Sequence, residues 1–126
     1  MLYAILAYNS EATTEVMSRP DEESMMTGLK VVREELAAEG KLGPVGRLMP
    51  TTAATTLRHG RESVVIDGPF AETKEQLLGF YIIDCATLED ALDAARRLAA
   101  PRVAAGISGA LEIRPLRDFY RDGVNR

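Results

Sequence analysis

Two segments of this chain, Leu2–Ala7 and Leu77–Ile83, are apolar on both sides of an extended backbone. Successive side chains of a strand point to opposite faces. Leu78, Phe80 and Ile82 therefore go one way, and Leu77, Tyr81 and Ile83 the other. A fully buried Leu or Ile is worth roughly 1.5–3 kcal/mol, so leaving several of them wet would forfeit much of a small domain's stability of ~5–15 kcal/mol. Both faces of these strands need cover.

The helices available for that cover are few. Pro20-Asp-Glu-Glu23 reads as a helix start, with proline in the first turn and acids at the positive end of the dipole. Met25, Leu29, Val32 and Leu36 then fall on one face, and Gly40 stands where a C-terminal glycine ends a helix. A second helix starts at Thr87-Leu-Glu-Asp90, a capping-box pattern. Its expected stripe is Leu88, Ala91, Leu92, Ala95, Leu98 and Ala99, with Asp93 and Arg97 paired one turn apart and Pro101 as the stop. Asn9–Arg19 reads as a polar turn, Lys41–Pro50 as a strand closed by Leu48-Met49-Pro50, and Ala110–Leu116 as a last strand. Ala54–Arg58 and Arg61–Ile66 flank His59-Gly60, which predicts a hairpin with a two-residue turn and positive φ at the glycine. Asp67-Gly-Pro-Phe70 is a turn by composition, with the Asp67 carboxylate as its expected cap, and Ala71–Gln76 is expected to add one helical turn.

The resulting order, β-α-β-β-β-β-α-β, contains the split βαβ of a ferredoxin-like antiparallel sheet plus an extra hairpin. The expected class is α+β with both helices on one face. The second sheet face then has no helix, and a homodimer with sheets face to face is the simplest cover. The competing expectation is that residues 41–60 or the C-terminal tail fold over that face.

With 126 residues, 46% of them hydrophobic, one domain over 1–117 and a polar tail over 118–126 are expected. The formal net charge of −4 argues against nucleic acid as a partner. Residues 96–126 hold seven arginines and three acids, a balance of +4, against −8 for residues 1–95. The preferred reading is that this segment lies against the acidic surface of the chain itself or of a partner subunit, rather than serving as a basic tail for an anionic partner. No apolar run approaches the roughly 20 residues of a membrane span, and no signal peptide is apparent, so a cytoplasmic protein is expected. One cysteine, Cys85, and one histidine, His59, leave no ligand set for a metal, and no glycine-rich phosphate loop precedes a helix; no cofactor is expected.

The residues with chemistry to offer cluster after the hairpin. Asp67 and Glu72 are candidate proton-transfer groups, and Lys74 is a candidate for steadying an anionic ligand. Phe70, Tyr8 and Arg47 are further ligand-contact candidates. Each has a plain structural alternative: a turn cap, a solvated ion pair, a wet-tipped core aromatic or a surface charge. Gly28 is unexpected inside a helix and is read as room either for a ligand above the sheet or, preferably, for close packing of a strand or helix. Met17, Met25 and Met26 suit a loose core or the wall of a pocket.

Asp67-Gly-Pro-Phe-Ala-Glu-Thr-Lys-Glu-Gln-Leu-Leu-Gly-Phe-Tyr-Ile-Ile-Asp84 resembles the hallmark segment of the DGPF subgroup of YCII-related proteins. The first strand, Glu34-Glu35-Leu36, Thr55-Thr56-Leu57 and Glu112-Ile-Arg-Pro115 also resemble that family, so the similarity spans about residues 1–117. The resemblance implies a dimeric α/β-barrel of ferredoxin-like units. Two functions are expected for such a chain: a cofactor-independent small-molecule enzyme of lyase or isomerase type acting in a cleft between helices and sheet, or a non-catalytic ligand-binding or regulatory module, which the resemblance links to an extracytoplasmic-function sigma factor. Some relatives are thought to use a His–Asp pair with the histidine on the first helix. Here Met25-Met-Thr-Gly-Leu29 has no histidine.

Overall fold

The computed structural model describes residues 1–123. The elements are β1 (Leu2–Asn9), α1 (Glu11–Glu15), α2 (Arg19–Ala38), β2 (Leu42–Arg47), a 3-10 turn (Thr51–Ala53), β3 (Thr55–Arg58), β4 (Val64–Asp67), β5 (Gln76–Asp84), α3 (Leu88–Ala104) and β6 (Gly109–Pro115). Four strands form an antiparallel sheet in the order β2-β5-β1-β6, and β3 pairs antiparallel with β4 in a separate two-stranded sheet. This is a mixed α+β architecture compatible with a ferredoxin-like fold.

The core lies on one face of the main sheet. Tyr3 and Ile5 of β1 and Tyr81 and Ile83 of β5 are buried there against Met25, Leu29 and Leu36 of α2 and Ala91, Ala94, Ala95 and Leu98 of α3. Gly40, at φ +73°, ends α2 with the paired bonds of a Schellman cap: Gly40 N–H donates to the Ala37 carbonyl and Lys41 N–H to that of Leu36. The Thr87 hydroxyl accepts from Asp90 N–H at 3.2 Å, as the capping-box pattern anticipates.

Several local expectations are corrected. Part of the expected turn Asn9–Arg19 is a helix, α1, whose short length leaves no periodic signal in the sequence. Strand β2 ends at Arg47 rather than at Pro50. The hairpin loop runs from His59 to Ser63, and Gly60 keeps a negative φ; the positive φ falls at Gly68. Gly68 N–H donates to the Ala54 carbonyl at 2.7 Å, so backbone holds that turn and the Asp67 carboxylate does not cap it. Residues 71–75 form bends, not a helical turn, held by Thr73 donating to the Glu75 carbonyl and Gln76 to that of Thr73.

Helix α3 runs through Pro101 to Ala104. The proline ring fits because Gly28 of α2 leaves space: a Cβ at Gly28 would stand 3.0 Å from the Pro101 Cβ. The sequence oddity of Gly28 is thus a close helix–helix approach. Arg97 pairs not with Asp93 but across to Glu35 of α2 at 3.1 Å and to Glu39, the residue that caps α2, at 2.7 Å. One member of the basic C-terminal quarter therefore does lie against the chain's own acids. Leu88 faces solvent, and Ala94 takes a place in the buried stripe.

The helix-free face carries Leu2, Leu6, Tyr8, Phe80 and Ile82, all half-buried within the single chain. Phe80 folds over the neighbouring strand, where a Cβ on Gly46 would meet its ring at 2.5 Å. At one corner Phe119 and Arg121 of the tail border a hollow with Leu2 and Ile82. No helix among the described residues is long and apolar enough to cross a membrane.

Candidate functional site

A cleft of about 400 Å³ opens between α1, the first half of α2 and the β2 end of the main sheet. Its floor exists because of a bulge. In the β1–β5 ladder Ala7 pairs with Gly79 and Tyr8 with Leu77, so Leu78 is an extra residue. A bulge re-aims side chains and bends its strand. Leu78 therefore borders the cleft instead of sharing a face with Phe80 and Ile82, contrary to the strict alternation expected of this strand. Gly79 beside it adds no side chain.

Four of the five methionines, Met17, Met25, Met26 and Met49, form the wall, with Leu29, Val45, Leu48 and Ile107. Thioethers on unbranched chains adapt to irregular apolar shapes.

The polar groups separate into a mouth and an interior. At the mouth, Arg47 of β2 pairs with Glu22 of α2 at 3.4 Å, both exposed. Glu11, the first residue of α1, accepts from the Thr51 backbone N–H and the Thr51 hydroxyl, both at 2.7 Å. Its own N–H donates to the Gln76 side-chain oxygen at 2.9 Å. These bonds tie α1, the 3-10 turn and the start of β5 into one rim.

Further in, Arg102 of α3 is half-buried and donates from Nη1 to the Leu98 carbonyl at 2.7 Å and from Nη2 to the Tyr81 hydroxyl at 2.9 Å. Its guanidinium carbon lies 5.7 Å from the centre of the Tyr81 ring. Arg33 of α2 also borders the cleft, half-buried, with no hydrogen bond or ion pair among the described residues. A second hollow of about 530 Å³, between the end of α3 and β6, shares Asn9, Arg102 and Ile107 with the first.

Of the six residues singled out in the sequence, Arg47 borders the cleft. Tyr8 lies on the helix-free face of β1. Asp67, Glu72 and Lys74 are exposed on β4 and the segment after it, without side-chain partners among the described residues, and Phe70 beside them is 74% exposed. None of these four borders the cleft. Arg33, Arg102 and Glu11 are the additions, beside the core aromatic Tyr81. The methionine spacing in residues 17–26 signals the wall. Nothing in the sequence separates Arg33 or Arg102 from an ordinary surface arginine.

Away from the cleft, Arg97 and then Lys41 hold the Glu39 carboxyl down at about 2, and Glu39 in turn raises Lys41. Burial pushes the Cys85 thiol up, against a smaller opposing influence of Lys41. Among the described residues no three His, Cys, Asp or Glu side chains are grouped to hold a metal ion.

A small α+β unit with a methionine-walled cleft beneath its first long helix is the class these features define. The family model for the YCII-related domain matches residues 1–119. An uncharacterised protein of Rhizobium meliloti (strain 1021) is 53% identical over 124 residues, covering 98% of this chain and 97% of that protein. The chain belongs to the YCII-related family.

Proposed function

We propose that this protein binds a small organic molecule in the cleft between α1, α2 and the main sheet. The observation that carries this reading is the wall itself, four methionines around a space of about 400 Å³ with the Tyr81–Arg102 pair inside it. That volume lies within the range of about 300–1,000 Å³ usual for ligand sites. The test is to purify the protein under native conditions, denature it and identify released small molecules by mass spectrometry, beside a Met26→Trp variant that fills the cleft. A molecule released from the parent protein and not from the variant is expected. Identical release from both contradicts the reading.

A catalytic version, cofactor-independent and of lyase or isomerase type, draws on Tyr81. Its oxygen accepts from Arg102, so its own proton is left to polarise a ligand carbonyl. Asp67 or Glu72 would then move a proton, with Lys74 steadying charge. Because these three lie outside the cleft lining, this version requires residues 67–75 to close on a cleft, of the same copy or of a second one. Alanine at each of the three, with folding verified, leaves turnover unchanged if the version is wrong.

We also place the chain in the DGPF subgroup, on the segment Asp67–Asp84, and propose that it works as a face-to-face homodimer. The support is apolar surface without cover: Leu57, Val64, Val65 and Phe70 are more than half exposed, beside the half-buried Leu6, Phe80 and Ile82. A two-stranded hairpin is marginal in water on its own. Light scattering at micromolar concentration should give twice the 13.7 kDa chain mass; the single-chain mass contradicts the dimer.

A further inference from the structure

We propose that the ligand of the cleft is an amphipathic carboxylate whose acid group is held by Arg102 beside Tyr81, with Arg33 as a second cation bordering the same space, and whose apolar body lies along the methionines. This deepens the binding reading above and rests on it. The argument starts from charge. The exposed cation at the mouth, Arg47, already has its carboxylate in Glu22. The half-buried acid, Glu11, has both oxygens engaged by Thr51. That leaves Glu15, exposed and paired with neither arginine, and two half-buried guanidinium groups, on different helices and bordering one space, with no carboxylate partner among the described residues. Partly desolvating a charge costs free energy unless a counter-charge answers it, and no carboxylate among the described residues is paired with either guanidinium.

The donor inventory points to a carboxylate. A guanidinium has five N–H donors. Arg102 uses two, on the Leu98 carbonyl and the Tyr81 oxygen, and the other three remain. The Tyr81 proton is a further donor pointing away from Arg102. A planar, bidentate acceptor of single charge matches this set. Lysine does not occur in the lining, and the remainder of the wall is mostly apolar. Met26 and Arg33 lie seven residues apart on α2, on one helical face, so an apolar body on the first places an acid near the second.

The chemistry predicts a selectivity that is strict in charge and tolerant in shape. Methionine walls repack around different apolar bodies, whereas an unanswered guanidinium does not accept a neutral head. The experiment is titration of the isotope-labelled full chain, at neutral pH, with octanoate, 4-phenylbutanoate, 1-octanol and octyl phosphate, read from backbone amide shifts. The two carboxylates should move amides of α2, β5 and the end of α3 with affinities within about threefold of each other. Octanol should be at least about tenfold weaker, the scale of one lost charged hydrogen bond. Arg102→Gln and Arg33→Gln should each bring octanoate toward octanol, while Arg58→Gln on the exposed hairpin changes nothing. Arg102→Lys, which keeps the charge, guards against a variant that fails to fold and should retain the preference for acids.

Equal binding of octanol and octanoate in the cleft overturns the inference and leaves the binding reading standing. Tenfold tighter binding of octyl phosphate replaces the carboxylate by a phosphate and also overturns it. Shifts confined to other surfaces, or none with any of the four compounds, overturn both.

Discussion

The helix-covered face of the main sheet and the β3–β4 hairpin are built from similar side chains and meet different surroundings. Ile5, Ile83, Leu36 and Leu98 are fully closed off from water, while Leu57 and Val65 are 60% and 68% exposed. Both sets are aliphatic and both sit in regular structure. The difference lies in what the chain can bring to them. Two long helices, locked by Gly28 against Pro101, reach one face of the main sheet, and among the described residues no helix packs on the hairpin to a comparable extent. Apolar strands thus announce that cover is needed and are silent on whose cover it is.

The contrast carries measurable consequences. Leu98→Ala, made in the closed layer, should cost about 2–5 kcal/mol in chemical denaturation, the usual range for emptying a core leucine site. Val65→Ala, in the hairpin, should change the stability of the single-copy form by about 0.5 kcal/mol or less and act on assembly instead. Equal losses at the two positions would remove the distinction. Gly28→Val tests the helix lock: with so little room beside Pro101, overpacking should cost about 1–3 kcal/mol, read as a lower denaturation midpoint.

Acid sensitivity should come from the closed side too. Glu39 sits at about 2 in the folded chain against an ordinary 4.5, so its contribution is complete above about pH 5 and is lost as pH falls from there toward 2. Glu39→Gln should flatten the fall in stability across that window, measured by denaturation at a series of pH values. An unchanged slope would show that the Arg97–Glu39 contact does not persist in solution. The smallest effect expected is at Cys85. Burial raises its thiol, so a disulfide reagent at neutral pH should react at the rate of unfolding, not of a free thiol.

Much of the scaffold was legible in residue patterns. The stripe Met25, Leu29, Leu36 and the cap at Thr87 are local features whose physics needs only a few neighbouring residues, and both occur where the pattern places them. Pro101 was misleading because its accommodation depends on Gly28, far away in sequence. Leu78 was misleading because a bulge depends on a partner strand. The site was less legible still. Methionine clustering marks the wall, but Arg102 and Arg33 become distinctive only because no carboxylate among the described residues pairs with them, which is a property of three-dimensional neighbours. The segment 67–75, the most recognisable stretch of the sequence, stands apart from the cleft lining in one copy of the chain.

The most direct test of the two-region account is amide hydrogen exchange followed as protein concentration is varied. Amides of β1 and β5 should be strongly protected at every concentration. Those of Val64–Asp67 should gain protection as concentration rises, as the proposed homodimer requires. Protection of β4 that is independent of concentration would contradict the account, since the hairpin would then be sheltered, or left open, by its own chain alone.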